Sequence, residues 1–165
     1  MIFNADEVFE IGKQIEVNGG RFYRRAAVIA ADPESSRFLL RLAEMETQHE
    51  HAFAELQTKL TAEFQRDDQG LADFDQQALA YLKSMADGKV FDADADPVSK
   101  LSGQESVEQI LRIALAFEKN SVVFYSAVKT MVPGRLGKDK VDALVNEELG
   151  HIAMLSDELA KHQKH

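Results

Sequence analysis

The sequence predicts an all-α fold: a four-helix bundle of two antiparallel hairpins joined by a long crossover that contains a short helix. Three observations predict it. Apolar residues recur at steps of three and four through four long stretches. Short turn signals, Asp32-Pro33 and Pro133-Gly134, separate the first stretch from the second and the third from the fourth, which makes those neighbours antiparallel. Nearly forty residues lie between the second and third stretches, a length that is uncommon in a compact domain unless the chain crosses from one end of the bundle to the other.

The first helix is expected over about 5–31, with Asn4 as cap and Glu7 completing a capping box. Asp32 then caps a second helix, about 33–64, whose first residue, Pro33, has no N–H to lose. "QRDDQG" ends it. The crossover, 65–102, holds a short helix from Asp73 to Met85 and then "DGKVFDADADPVSK", which has no sustained period. Ser102 and Glu105 have capping-box spacing ahead of a third helix, about 103–131, and a fourth runs over about 138–161.

A chain of 165 residues fits one domain, 1–165, with a single core. It is 45% hydrophobic and 28% charged, with no apolar run able to span a bilayer and no secretory signal at Met1, so a soluble cytoplasmic protein is expected, with no membrane partner. The net charge of -9 repels phosphate backbones and argues against nucleic acid. There are no cysteines, which excludes disulfides, thiolate metal sites and a catalytic thiol in this chain. Any metal must be held by carboxylate and imidazole, a set that suits iron, manganese or zinc.

Such a set interrupts the core. The buried seam of the second helix reads Leu39, Leu42, Glu46, His49, Phe53, Leu56, Leu60, and that of the fourth reads Val141, Leu144, Glu148, His151, Leu155. Unpaired charges buried mid-seam would cost several kcal/mol, so Glu and His there need partners. A spacing of three rotates a helix by about 300° and rises about 4.5 Å, so "ETQH" and "ELGH" each aim two ligands at a common point. A lone E-x-x-H is weak, since an exposed Glu beside a neutral His matches it equally. Here, however, the two motifs are offset by 102 residues, and the same offset lays "EVNGGRFY", from Glu16 to Tyr23, on "EKNSVVFY", from Glu118 to Tyr125.

That alignment also settles the reading of Asn18-Gly19-Gly20, which by itself signals a hairpin. Its partner segment has no comparable turn former, so both are expected to be continuous helix. Gly19 then matches Ser121, and a small residue beside the site leaves either room for an oxidant or water, or close helix packing. Four carboxylates and two imidazoles facing inward from four helices form the ligand set of a two-metal carboxylate site, with a purely structural polar core as the competing reading.

These residues resemble the ferritin-like di-iron carboxylate superfamily. The rhythm E-x-x-x-x-x-F-Y in both halves is most similar to the rubrerythrin branch, and the resemblance covers the chain apart from Leu71 to Lys100. It implies two iron ions, with manganese or zinc as substitutes, bridged by Glu46 and Glu148. Glu16 and Glu118 would be terminal carboxylates, and His49 and His151 would bind one iron each. Tyr23 and Tyr125 would donate hydrogen bonds to ligand carboxylates, or else pack in the core with their hydroxyls satisfied elsewhere. A homodimer, sometimes with exchanged helices, is the implied assembly.

Two departures from rubrerythrins stand out. Rubrerythrins carry a cysteine-ligated rubredoxin-type domain, and this sequence has no cysteine, so either an external electron donor is expected or turnover is not its role; and Ser121 stands where those proteins place a further carboxylate. Glu147, about 100° round the helix from Glu148, and His51, about 200° from His49, read as surface residues. His162 and His165 fall in a solvated tail. "DADAD" at Asp92–Asp96 lacks the Gly and terminal Glu of a calcium loop. "RFYRR" at Arg21–Arg25 reads as a helix face paired with nearby acids, or as a docking site for an acidic redox partner. Three functions follow: an oxidoreductase of peroxidase or ferroxidase type that reduces peroxide or dioxygen, a non-catalytic iron-binding, handling or storage protein, or an acidic helical interaction module.

Overall fold

In the computed structural model, described over residues 5–64, 76–86, 97–132 and 134–164, five α-helices are present and no strand occurs among the described residues. They are α1 (Ala5–Ile29), α2 (Pro33–Phe64), α3 (Gln76–Ala86), α4 (Val107–Met131) and α5 (Lys138–His162), with 3-10 turns at Pro97–Lys100 and Gly134–Leu136. Asn4, "QRDDQG", Asp92–Asp96, Pro133 and His165 lie outside the described residues. No described helix is long and apolar enough to cross a membrane.

Local chemistry sets the ends. Asp32 Oδ1 accepts from the backbone N–H of Ser35 at 2.7 Å, capping α2 at the expected place. The start of α4 differs from expectation. Glu105 folds back on the backbone and hydroxyl of Ser102 in a turn of its own, and the helix begins four residues later behind Ser106. There Ser106 and Gln109 form the reciprocal capping box. Gly137 precedes α5 with φ 116°, a left-handed conformation where a Cβ would also stand 2.8 Å from Leu56 Cδ2. The helix α1 runs unbroken through Gly19 and Gly20, as the alignment of the two halves leads one to expect.

The helix α1 packs along α2, and α4 along α5, while the α2–α5 seam is thin. Two apolar clusters fill the bundle. One joins Val8, Phe9 and Ile15 of α1 to Phe53, Leu56 and Leu60 of α2, Val128 and Met131 of α4, and Val141 and Leu144 of α5. The other joins Phe22, Tyr23 and Ala26 to Leu39, Leu42, Ile110, Leu111, Ala114 and Leu155. The start of α1 therefore lies with the end of α4. The chain leaves α2 at the first cluster and enters α4 at the second, so the connection spans the bundle, with Leu82 of α3 packed in the first cluster and Val98 and Leu101 against the second. All twelve residues of the two predicted seams are buried, and the Glu and His of each lie between the apolar clusters.

Candidate metal centre

Each of the four long helices contributes to one polar layer: Glu16 from α1, Glu46 and His49 from α2, Glu118 from α4, Glu148 and His151 from α5. None is more than 2% exposed. All six predicted residues are thus brought together, and Glu46, His49, Glu148 and His151 each offer one ligand atom within 4.8 Å of the others.

Glu148 faces both imidazoles, with Oε1 2.8 Å from His49 Nδ1 and Oε2 3.1 Å from His151 Nδ1. Glu16 Oε2 stands 3.4 Å from His49 Nδ1. On the other side Glu46 Oε1 and Glu118 Oε1 stand 3.2 and 3.4 Å from His151 Nδ1. The donor atoms thus divide into a His49 group and a His151 group that share Glu148. The two rings stack with centroids 5.2 Å apart.

Burial drives the electrostatics. It pushes the carboxyls of Glu16, Glu46 and Glu118 well above the usual 4.5, and the charges of neighbouring glutamates push the same way. For Glu148 burial also raises the value, but the two imidazoles outweigh it and hold the group below the usual range. Burial lowers both histidines; the surrounding carboxylates more than reverse this, raising His49 and pushing His151 up to about 12. From protein groups alone, burial favours the neutral carboxyl at Glu16, Glu46 and Glu118, whereas the two imidazoles favour the carboxylate at Glu148.

Whether these residues suit a metal is tested by their satisfaction. Both oxygens of Glu16 and of Glu148, Glu46 Oε1, Glu118 Oε2, both Nδ1 atoms and His151 Nε2 are buried without an aligned hydrogen bond among the described residues. Buried polar atoms are nearly always satisfied, so nine orphans in one layer call for a missing partner. They approach one another at 2.8–3.4 Å without the alignment of a hydrogen bond, as donors gathered about shared cations do. The set is all carboxylate and imidazole, which fits iron, manganese or zinc.

Around this layer the two halves differ. The Tyr23 hydroxyl donates to Glu118 Oε1, and burial followed by the Glu118 charge raises the phenol. Tyr125 is equally buried, but its hydroxyl has no hydrogen-bond partner among the described residues and its ring packs on Phe53 at 4.8 Å. At Gly19 a Cβ would stand 2.6 Å from Glu46 Oε2 and 2.9 Å from the Phe117 ring, so the small residue admits the carboxylate and the ring rather than leaving an opening.

Glu147 was expected at the surface, and its side chain is 55% exposed, yet its Oε2 lies 2.6 Å from His49 Nε2. The repeat gives no sign of this, because the equivalent position on α2 is Met45. His51 is exposed as expected. His162 is the last residue of α5, beside Glu158 at 3.4 Å and Ser35 at 3.4 Å, rather than part of a tail. In "RFYRR" Phe22 and Tyr23 are buried, and Arg24 donates to the Thr47 hydroxyl instead of an acid.

Comparison with protein-family models, curated proteins and solved structures finds no match. The assignment of this centre therefore rests on its residues and their geometry.

Proposed function

We propose that this chain is a binuclear iron protein similar to rubrerythrins, in which Glu16, Glu46, His49, Glu118, Glu148 and His151 hold two iron ions. Its oxidation would be coupled to reduction of peroxide or dioxygen, with electrons from an external donor. The observation that carries the reading is a buried layer of four carboxylates and two imidazoles, nine of whose oxygen and nitrogen atoms have no hydrogen-bond partner among the described residues. Leaving such groups uncompensated in an apolar core costs several kcal/mol each, and a pair of divalent cations removes that cost. The crossover that spans the bundle supports a ferritin-like topology.

Held by these six residues, a pair of ferrous ions would supply the two electrons needed to reduce one O–O bond. The chain's own residues prepare the place. Glu148 faces both histidines and is suited to join the two positions. Tyr23 orients Glu118 by donating to it. The apolar clusters above and below exclude bulk water, which strengthens every charge interaction between them.

The test is anaerobic mixing of the ferrous-loaded protein with peroxide, followed by repeated reduction. Catalytic consumption of peroxide, lost in Glu46→Ala and Glu148→Ala, is expected. A single oxidation that no donor reverses would instead mark a protein that binds or handles iron without turnover.

A further inference from the structure

The internal repeat places Glu147 opposite an apolar residue. Through the offset of 102 residues the counterpart of Glu147 is Met45, which packs against the second apolar cluster. The outcome at the two histidines differs accordingly. His49 Nε2 meets Glu147 Oε2 at 2.6 Å, whereas His151 Nε2 is buried with no hydrogen-bond partner among the described residues. A carboxylate of this kind accepts the Nε2 proton, so it fixes the tautomer that leaves the Nδ1 lone pair facing Glu16 and Glu148. The contact also crosses the thin seam between α2 and α5, so it sets the ring's angle from a helix that does not carry His49.

We propose that Glu147 is a positioning residue for His49 and makes the two metal positions unequal, the one served by His49 binding its ion more tightly. The inference rests on the two-metal reading above. A partner of this type orients its histidine and raises its basicity, and losing one typically weakens metal binding by about 10- to 100-fold. His151 has no such partner at Nε2 among the described residues.

The test is titration of the chelator-treated full chain with cobalt(II), followed by visible absorption. The 15N resonances of the imidazoles report the tautomers alongside. Two binding steps are expected in the wild type, and Glu147→Ala should weaken one of them by about 10- to 100-fold while sparing the other. Glu147→Gln, which keeps an acceptor oxygen but not the charge, should fall between, and His49 should lose its single tautomer in Glu147→Ala. Because Glu147 is half-exposed, unchanged thermal unfolding is expected in both variants. Two cobalt ions bound with one affinity in the wild type would overturn the proposal, as would equal weakening of both steps or no effect of Glu147→Ala. A wild type that binds no cobalt would remove the two-metal reading itself and this inference with it.

Discussion

Glu46 and Glu148 occupy seam positions where a helical bundle ordinarily places leucine, and they are as buried as the leucines on either side. A residue kept for stability and one kept for metal respond oppositely to loss of charge. In Glu46→Gln the volume is conserved and a buried carboxyl that burial drives toward its neutral form disappears. The chelator-treated variant should therefore unfold at or above the wild-type temperature, while metal affinity falls by more than about 100-fold, beyond the loss typical of an outer partner. Glu148→Gln should lose metal affinity as well but be destabilised without metal, because both imidazoles lose the carboxylate they face. Parallel thermal melts and metal titrations check this, and strong destabilisation with metal binding intact would make the layer structural. The six residues are legible in the sequence because each departs from the apolar seam or repeats at the same offset. Glu147 is not legible, since it breaks no apolar pattern and has no polar counterpart. Only the packing of α5 against α2 brings it to His49.

At the scale of the helix, two glycines separate local propensity from tertiary demand. Gly150 of α5 lies between Glu148 and His151 in sequence, and nothing stands within 4 Å of an added Cβ. Gly150→Ala should stabilise the protein by up to roughly 1 kcal/mol and leave metal content unchanged. Gly19→Ala would drive a methyl group into the Glu46 carboxylate and the Phe117 ring. It should cost about 1–3 kcal/mol and lower metal affinity as well, measured by denaturant unfolding and metal titration. A neutral Gly19→Ala would show that Glu46 has room to move. The four long helices follow from their apolar period, and the cap of α2 from Asp32-Pro33. The start of α4 lies later than its first capping pattern because two Ser-x-x-Glu/Gln patterns lie four residues apart. Both are hydrogen-bonded, but only Ser106 adjoins continuing helix.

For the whole molecule, the centre links stability to pH. Unfolded carboxyls ionise near 4.5, whereas Glu16, Glu46 and Glu118 are raised in the fold, so their contribution falls as pH rises above that value. His151, raised from 6.5 to about 12, contributes fully below 6.5 and loses its contribution as pH climbs toward about 12, and His49 shifts the same way. Glu148, lowered from 4.5, would lose its contribution only in stronger acid. The unfolding temperature of chelator-treated protein should accordingly decline from about pH 5 to about pH 9. Metal ions must displace these protons, so the gain from adding metal should widen over the same interval, as calorimetry with and without metal can show. A gap that narrows with rising pH would contradict the assigned protonation. The bundle, its crossover and the repeated ligand pattern were readable because burial and periodicity act along the chain. The asymmetry between its halves arises only where helices distant in sequence meet. The most direct measurement of the central claim is the metal content of protein purified without chelator. Two ions per chain, with iron foremost, are expected in the wild type and almost none in Glu46→Ala and Glu148→Ala. A wild type without metal, or variants that keep the full content, would contradict it.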